Sequence, residues 1–364
     1  MKALSASLLL ISISTTVVAQ SNYKESSNSF ALYTQSKEIK HLESAKKFID
    51  AGYKTKRDSV NRNNNVLRAM IYSSLAYADS TRKIKTDKDP IDITLLTLDK
   101  IKERDKSYFS NELNYVNQNL IAAYIYKANK DIEKKDFKKA YDNFLQVSKL
   151  GSTSEDVLRN LAFLSAQAGK TDEAISYYKS LIKSDDAEAK IYLSLAELYK
   201  IKKDNQLYLN TLQDARNKFP MDNSVLFLLI EAYAENKSYG AITPIIGEAL
   251  KADPDNKDLF YLAGYANENT GNIDLAKNFY LKTLELEEED YDANLALGLI
   301  YLKEFLKDKD NLEGQYSAQE YLLKANGIKP YALNALKGLA LYYEAVENAD
   351  QLDRVKTLIE SITE

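Results

Sequence analysis

The chain has 364 residues, a formal net charge of −4, one histidine, no cysteine and no tryptophan. A single histidine excludes a His-paired nucleophile, a zinc-binding histidine pair and a facial triad, and a chain without cysteine has no disulfides. An acidic chain lacking a continuous basic stripe is also disfavoured as a nucleic-acid binder.

Residues 1–19 read as a cleavable export signal. Lys2 gives a basic start, Leu4–Val18 is apolar or small, and Val17-Val18-Ala19 offers a small-residue cleavage site before Gln20. The run is too short and too serine-rich to span a bilayer, which needs about 20 apolar residues. An uncleaved membrane anchor is the competing reading. No cysteine follows the run, which excludes a bacterial lipoprotein anchor. The expected product is periplasmic or secreted, has no transmembrane segment, and is held together by packing alone.

Residues 20–110 carry helical spacing without a clear period. Ser27–Gln35 and Ile39–Ala51 form one expected pair. Asn63–Ser80 and Ile91–Arg104 form another, with apolar spacing at Leu67-Met70-Ile71-Ser74 and Ile93-Leu96-Leu98-Ile101. The polar stretch between them, Thr81–Pro90, is too long for a tight inter-helix turn. Glu112–Lys130 reads as a long helix leading into residues 111–330, where the organisation becomes regular.

Six 34-residue units start at Ile121, Glu155, Ala189, Asn223, Lys257 and Tyr291. Position 4 of each holds Tyr124, Leu158, Tyr192, Leu226, Phe260 and Asn294; position 24 of the first five holds Phe144, Tyr178, Leu212, Ile246 and Tyr280. Ala140, Ala174 and Ala276 stand at position 20, where a small residue lets two helices approach closely. Tyr208 and Ile242 take that place in two units, and those pairs are expected to spread wider. Pro220 and Pro254 stop the second helix at position 32, because proline has no backbone donor. In the sixth unit Ala318 and Pro330 arrive about eight residues late, which marks an insertion near 307–315. Residues 331–364 read as a capping repeat whose last helix, Asp350–Thr363, is polar.

These features resemble the tetratricopeptide repeat (TPR) family. They are the small residue at position 8 (Gly264, Gly298, with Gly338 in the cap), alanine at position 20, an aromatic at position 24 and proline at position 32. The turns Ala168-Gly169-Lys170 and Thr270-Gly271-Asn272 agree with it. The position-4 tryptophan of that family is absent. The resemblance implies an all-α fold, an α-solenoid of stacked antiparallel helix pairs wound into a right-handed superhelix. It also implies that the first-helix face carrying positions 2, 5, 9 and 12 lines a concave groove.

Positions 5 and 9 hold Arg159 and Phe163, Leu193 and Glu197, Phe227 and Glu231, Tyr261 and Tyr265, Leu295 and Leu299. Exposed apolar groups at helical spacing cost solubility unless something covers them. Either the superhelix or the partner helix covers them, or the groove binds a peptide. In the second case Phe163, Phe227, Tyr261 and Tyr265 are anchors, and Arg159, Glu197 and Glu231 orient the ligand. The family's lysine-and-asparagine carboxylate clamp at positions 5 and 9 is absent.

Charge is uneven. Residues 24–58 carry eight Lys/Arg against five Asp/Glu, whereas 253–320 carry six against sixteen. The acidic run Glu287-Glu288-Glu289-Asp290 is either a solvated face or a surface that steers a basic partner or holds a divalent cation. His41 reads as an ordinary surface residue. Asp308-Lys309-Asp310-Asn311 fails as a calcium loop, because its glycine and its final glutamate are misplaced. No catalytic residue, metal site or cofactor motif emerges. The expected function is a non-enzymatic protein-interaction scaffold of the bacterial cell envelope, binding a protein or peptide whose identity the sequence does not give. The alternative is an envelope carbohydrate- or small-ligand-binding protein. A third reading, an enzyme sited in Thr81–Asn111, suffers from the lack of histidine and cysteine there.

Overall fold

Every helix in this protein has to be started and stopped, and the residues that do so recur at fixed spacing. The computed structural model describes residues 21–363, so the expected signal at residues 1–19 lies outside the described part. First helices of successive pairs are α9 (Glu155–Gln167), α11 (Ala189–Ile201), α13 (Asn223–Glu235), α16 (Lys257–Asn269) and α18 (Tyr291–Lys307). Their starts are 34 residues apart. Ser154, Asp222, Asn256 and Asp290 cap four of them, each side chain accepting the backbone N–H three residues on. The described residues are all-α, built of stacked helix pairs.

The turn inside each pair is a second recurring device. Lys135, Gly169, Lys203, Lys237 and Gly271 are all left-handed, with φ between 55° and 84°, and are again 34 residues apart. In each case the following N–H bonds back to the carbonyl five residues earlier, as from Lys170 to Ser165 at 2.8 Å and Asp204 to Tyr199 at 2.9 Å. This is the Schellman ending of a helix. Glycine signalled only two of the five, since lysine fills the same strained conformation elsewhere at a cost of about 1 kcal/mol.

The molecule divides into two compact units. The first, up to Ala187, begins with helical residues 21–36 (α1), then α2 (Ile39–Ala51), the single turn α3 (Lys56–Ser59) and α4 (Arg62–Ala78). The helix expected over Ile91–Arg104 is broken into α5 (Pro90–Leu98) and α6 (Glu103–Lys106). After it come α7 (Ser110–Glu133), α8 (Phe137–Lys149), α9 and α10 (Thr171–Leu181). Phe30, Leu42, Ile49, Ile71 and Leu75 form one buried cluster; Leu120, Ala140, Phe144, Val147 and Leu161 belong to another.

The second unit, from Glu188, holds α11, α12 (Asn205–Lys218), α13, the broken helix α14 (Tyr239–Ile242) and α15 (Ile246–Ala252), α16, α17 (Ile273–Leu286), α18, α19 (Leu312–Ile328), α20 (Leu333–Ala345) and α21 (Ala349–Thr363). The break between α14 and α15 falls at Pro244, which has no N–H to donate and whose ring clashes with the preceding turn. Tyr208 and Ile242 are both buried at position 20. The insertion becomes helix. α18 and α19 have 17 residues each, against 13 for the other first helices of this unit and 14 for α12 and α17. α20 therefore starts at Leu333. Leu336 and Leu339 then take the buried positions 4 and 7, and Gly338 falls between them.

Close helix approach is what the small residues permit. Ala140, Ala174 and Ala276 have no exposed surface. A Cβ on Gly264 would lie 2.7 Å from the ring of Tyr280, and one on Gly298 would lie 2.9 Å from the Leu322 side chain and 3.0 Å from its backbone nitrogen. A Cβ on Gly338 would meet the same Leu322 at 2.7 Å. Pro220, Pro254 and Pro330 each stand two residues beyond the end of a second helix. Gly298→Ala and Gly264→Ala are expected to lower the unfolding free energy by about 1–3 kcal/mol through overpacking, outweighing alanine's helix-propensity gain of about 1 kcal/mol. Gly247→Ala, with no atom within 4 Å of the added methyl, should instead stabilise; urea titration of the three variants checks both signs.

Candidate functional site

Position 9 of the first helices faces solvent, and this gives the site its outline. In the first unit Phe163 is 45% exposed and meets Phe137 edge-on at 6.4 Å. One turn earlier Arg159 pairs with Glu155 at 2.6 Å along the same helix.

In the second unit the exposed position-9 residues are Glu197, Glu231, Tyr265 and Leu299. Lys200 of α11 reaches across to α13, at 3.2 Å from Glu231 and 3.0 Å from Glu235. Those hydrogen bonds, to Glu235 above all, raise the pKa of the ammonium. Glu231 is thereby tied to a lysine, while Glu197 stands exposed on α11.

Position 5 is different. Phe227 packs against a cluster containing Leu226, Ile230 and Ile242. Tyr261 packs on Ala276, Tyr280 and Leu297. Its ring lies 5.5 Å from Tyr280 and stacks at 6.2 Å on Tyr265. Burial, and secondarily the Asp292 carboxylate, pushes its phenol well above the ordinary tyrosine range. Phe227 and Tyr261 thus belong largely to the fold, and the exposed part of the aromatic set is Phe163 and Tyr265. Tyr265 is 37% exposed, with Tyr239 edge-on at 5.2 Å on its other side. Tyr239 and Lys200 are site residues that reading positions 5 and 9 alone does not find. Lys200 could have been found by matching position 12 of one unit to positions 9 and 13 of the next.

One helical turn beyond Tyr265 a cleft of about 470 Å³ opens, lined by Asn269, Leu299, Lys303 and Lys307 among others. Its two carboxylates are already committed. Glu268 accepts the Tyr280 hydroxyl at 2.7 Å, and Glu304 takes Lys277 at 3.0 Å. Lys303 and Lys307 have no ion-pair partner among the described residues. The cleft therefore offers an apolar wall at Leu299 and Ile273 beside two ammonium groups that make no ion pair.

Among the described residues no group of three or more His, Asp or Glu gathers as metal ligands. His41 stands on the first turn of α2, 3.8 Å from Glu38. The segment Asp308–Asn311 is a helix cap, in which the Asn311 side chain accepts the Gly314 N–H at 2.8 Å. No described helix is long and apolar enough to cross a membrane.

No protein-family model matches the sequence, and no curated protein does. Among solved structures the chain is similar to YrrB, described as a TPR protein with an unusual peptide-binding site. That match has 18% identity and a TM-score of 0.44, over 53% of this chain and 96% of that one. It is also similar to MamA, with 21% identity and a TM-score of 0.39, over 47% of this chain and 93% of that one.

The burial pattern separates residues packed into the fold from residues open to solvent at these positions. Tyr261→Ala and Phe227→Ala are expected to cost about 2–4 kcal/mol, whereas Tyr265→Ala should cost under about 1 kcal/mol. Thermal unfolding followed by circular dichroism distinguishes the two groups.

Proposed function

We propose that this TPR-like repeat protein is a non-enzymatic scaffold that holds a protein segment against the first-helix face of its second unit. The observation that carries the reading is the exposed Tyr265 and Leu299 beside a cleft whose own carboxylates are satisfied internally, leaving Lys303 and Lys307 uncommitted. An apolar side chain of the ligand covers Tyr265 and Leu299, and a ligand carboxylate meets the two lysines. Apolar anchors supply affinity and the charges supply orientation. Phe163 and Arg159 offer a comparable but smaller surface on the first unit.

A photo-crosslinking amino acid at position 265 or 299 should trap the same partner in intact cells, and one at the second-helix residue Lys282 should trap none. Equal capture from all three positions would remove the groove from consideration. Predominant capture of glycan in place of protein would favour the carbohydrate reading.

The basic and apolar start of the chain supports export to the cell envelope as part of the same proposal. Amino-terminal sequencing of the protein recovered from the envelope fraction is expected to begin at Gln20. Recovery with Met1 intact from the cytosol would reject the export signal.

A further inference from the structure

A second surface, in the first unit, has the opposite charge to most of the chain. α2 and the loop that follows α4 enclose a cleft of about 1220 Å³. Six lysines line it, four from Lys37 and α2 and two, Lys83 and Lys85, from the loop, against the carboxylates of Glu43, Asp50 and Asp79.

Two of those carboxylates are spent inside the fold. Asp50 takes Arg68, Lys46 at 3.2 Å and the Tyr72 hydroxyl at 2.8 Å. Asp79 accepts the backbone N–H groups of Lys83 and Ile84 at 2.9 and 2.8 Å. Lys47, Lys83 and Lys85 have no carboxylate partner among the described residues. The loop is also fixed in shape, because Arg82 donates to the carbonyls of Ala76 and Asp79 and to the Asp89 carboxylate. The result is a preformed, net positive cleft with Ile39, 42% exposed, and Ile84 on its wall.

The lining excludes one class of polyanion. It contains no arginine fork for phosphate and no aromatic face for a base to stack on. Point-charge ammonium groups beside aliphatic side chains suit a carboxylate-rich peptide that also carries an apolar residue.

The chain itself bears such a segment. The last residue of α17, Leu286, is 44% accessible, and the turn to α18 follows it with Glu287, Glu288 and Glu289. This turn is preformed too. Asn294, fully buried, donates to the carbonyls of Glu288 at 3.0 Å and Asp290 at 2.8 Å, and Lys257 holds the carboxylates of Glu287 and Asp290. Glu288 and Glu289 make no ion pair among the described residues; the nearest cation felt by Glu288, Lys324, is itself paired with Glu320 at 3.0 Å.

We infer that the lysine-lined cleft of one copy receives the acidic 285–290 turn of a second copy, with Leu286 against Ile39 and Ile84. The contact joins two different surfaces, so it is head-to-tail and propagates into a ring or a filament. It is independent of the groove proposed above. Long-range attraction between exposed charges is screened as the Debye length falls from about 10 Å at 0.1 M salt to about 3 Å at 1 M.

Sedimentation velocity of the full protein and of two charge-reversed variants tests this. One variant carries Lys47→Glu, Lys83→Glu and Lys85→Glu; the other carries Glu288→Lys and Glu289→Lys. Wild-type protein is expected to sediment faster as concentration rises at low salt and to return to monomer at high salt. Each variant alone should stay monomeric with unchanged helicity, and mixing the two should restore association, because each reversed surface then finds its complement. If the triple variant loses helicity, Lys83→Gln with Lys85→Gln replaces it and should weaken association at least tenfold. The inference is overturned by a wild-type protein that remains monomeric at low salt up to about 100 μM, where a micromolar contact would be saturated. It is equally overturned by association that ignores both reversals, or by a mixture that stays monomeric.

Discussion

Two helices can share a 34-residue unit only if their backbones come close, and this limit on side-chain size organises the second unit. Gly264 against Tyr280, and Gly298 and Gly338 against Leu322, leave no room for a methyl group. Tyr280 is fully buried and its hydroxyl is held by Glu268, so the ring has nowhere to move. The small side of each contact sets the helix spacing, and the large side fills the space that results. With one face of the first helices buried in such contacts, position 9 is left facing outward. The solvent-facing surface of these helices thus follows from a constraint in the interior.

The turns carry the same constraint through the backbone. A left-handed residue ends the first helix of five consecutive pairs, and three of the five are lysines, which bear a strain that glycine would not. The carbonyl acceptors of the Schellman bond fix the direction in which the chain leaves, and so fix where the second helix begins. Where the sixth pair departs from this turn, its extra residues lengthen both helices by about a turn. The added turn of α18, residues 304–307, carries Glu304 and Lys307 to the cleft beside Leu299, next to Lys303 at the point where the other first helices end.

Charge is used in two ways. About half of the ion pairs join partners three or four residues apart on one helix, and these contribute little to stability. Lys200 with Glu231 and Glu235, and Lys277 with Glu304, instead join neighbouring helices. By consuming carboxylates they decide which charges remain free. Lys303 and Lys307 are left without an ion pair while Glu304 is taken by Lys277, and Lys47, Lys83 and Lys85 while Asp50 is taken by Arg68 and Lys46; Glu268 and Asp79 are held by neutral donors and keep their charge. Net charge along the sequence cannot show this, since it counts paired and unpaired groups alike.

The sequence alone determined the all-α class, the period, and the residues that must be small. These follow from local rules: apolar spacing, caps, helix-stopping prolines and the size limit at a helix crossing each leave a mark within a few residues. It did not reveal the left-handed lysines, because lysine carries no turn signal. It also treated Phe227 and Tyr261 as equals of Phe163 and Tyr265. Only the tertiary structure decided that Phe227 and Tyr261 are packed into clusters while Tyr265 and Leu299 stay open. Burial depends on side chains from the second helix of the same pair and from the next pair, as Tyr280 and Leu297 do around Tyr261. The same reason explains Asn294, which looks misplaced at an apolar position until the carbonyls of Glu288 and Asp290 are seen to receive its amide.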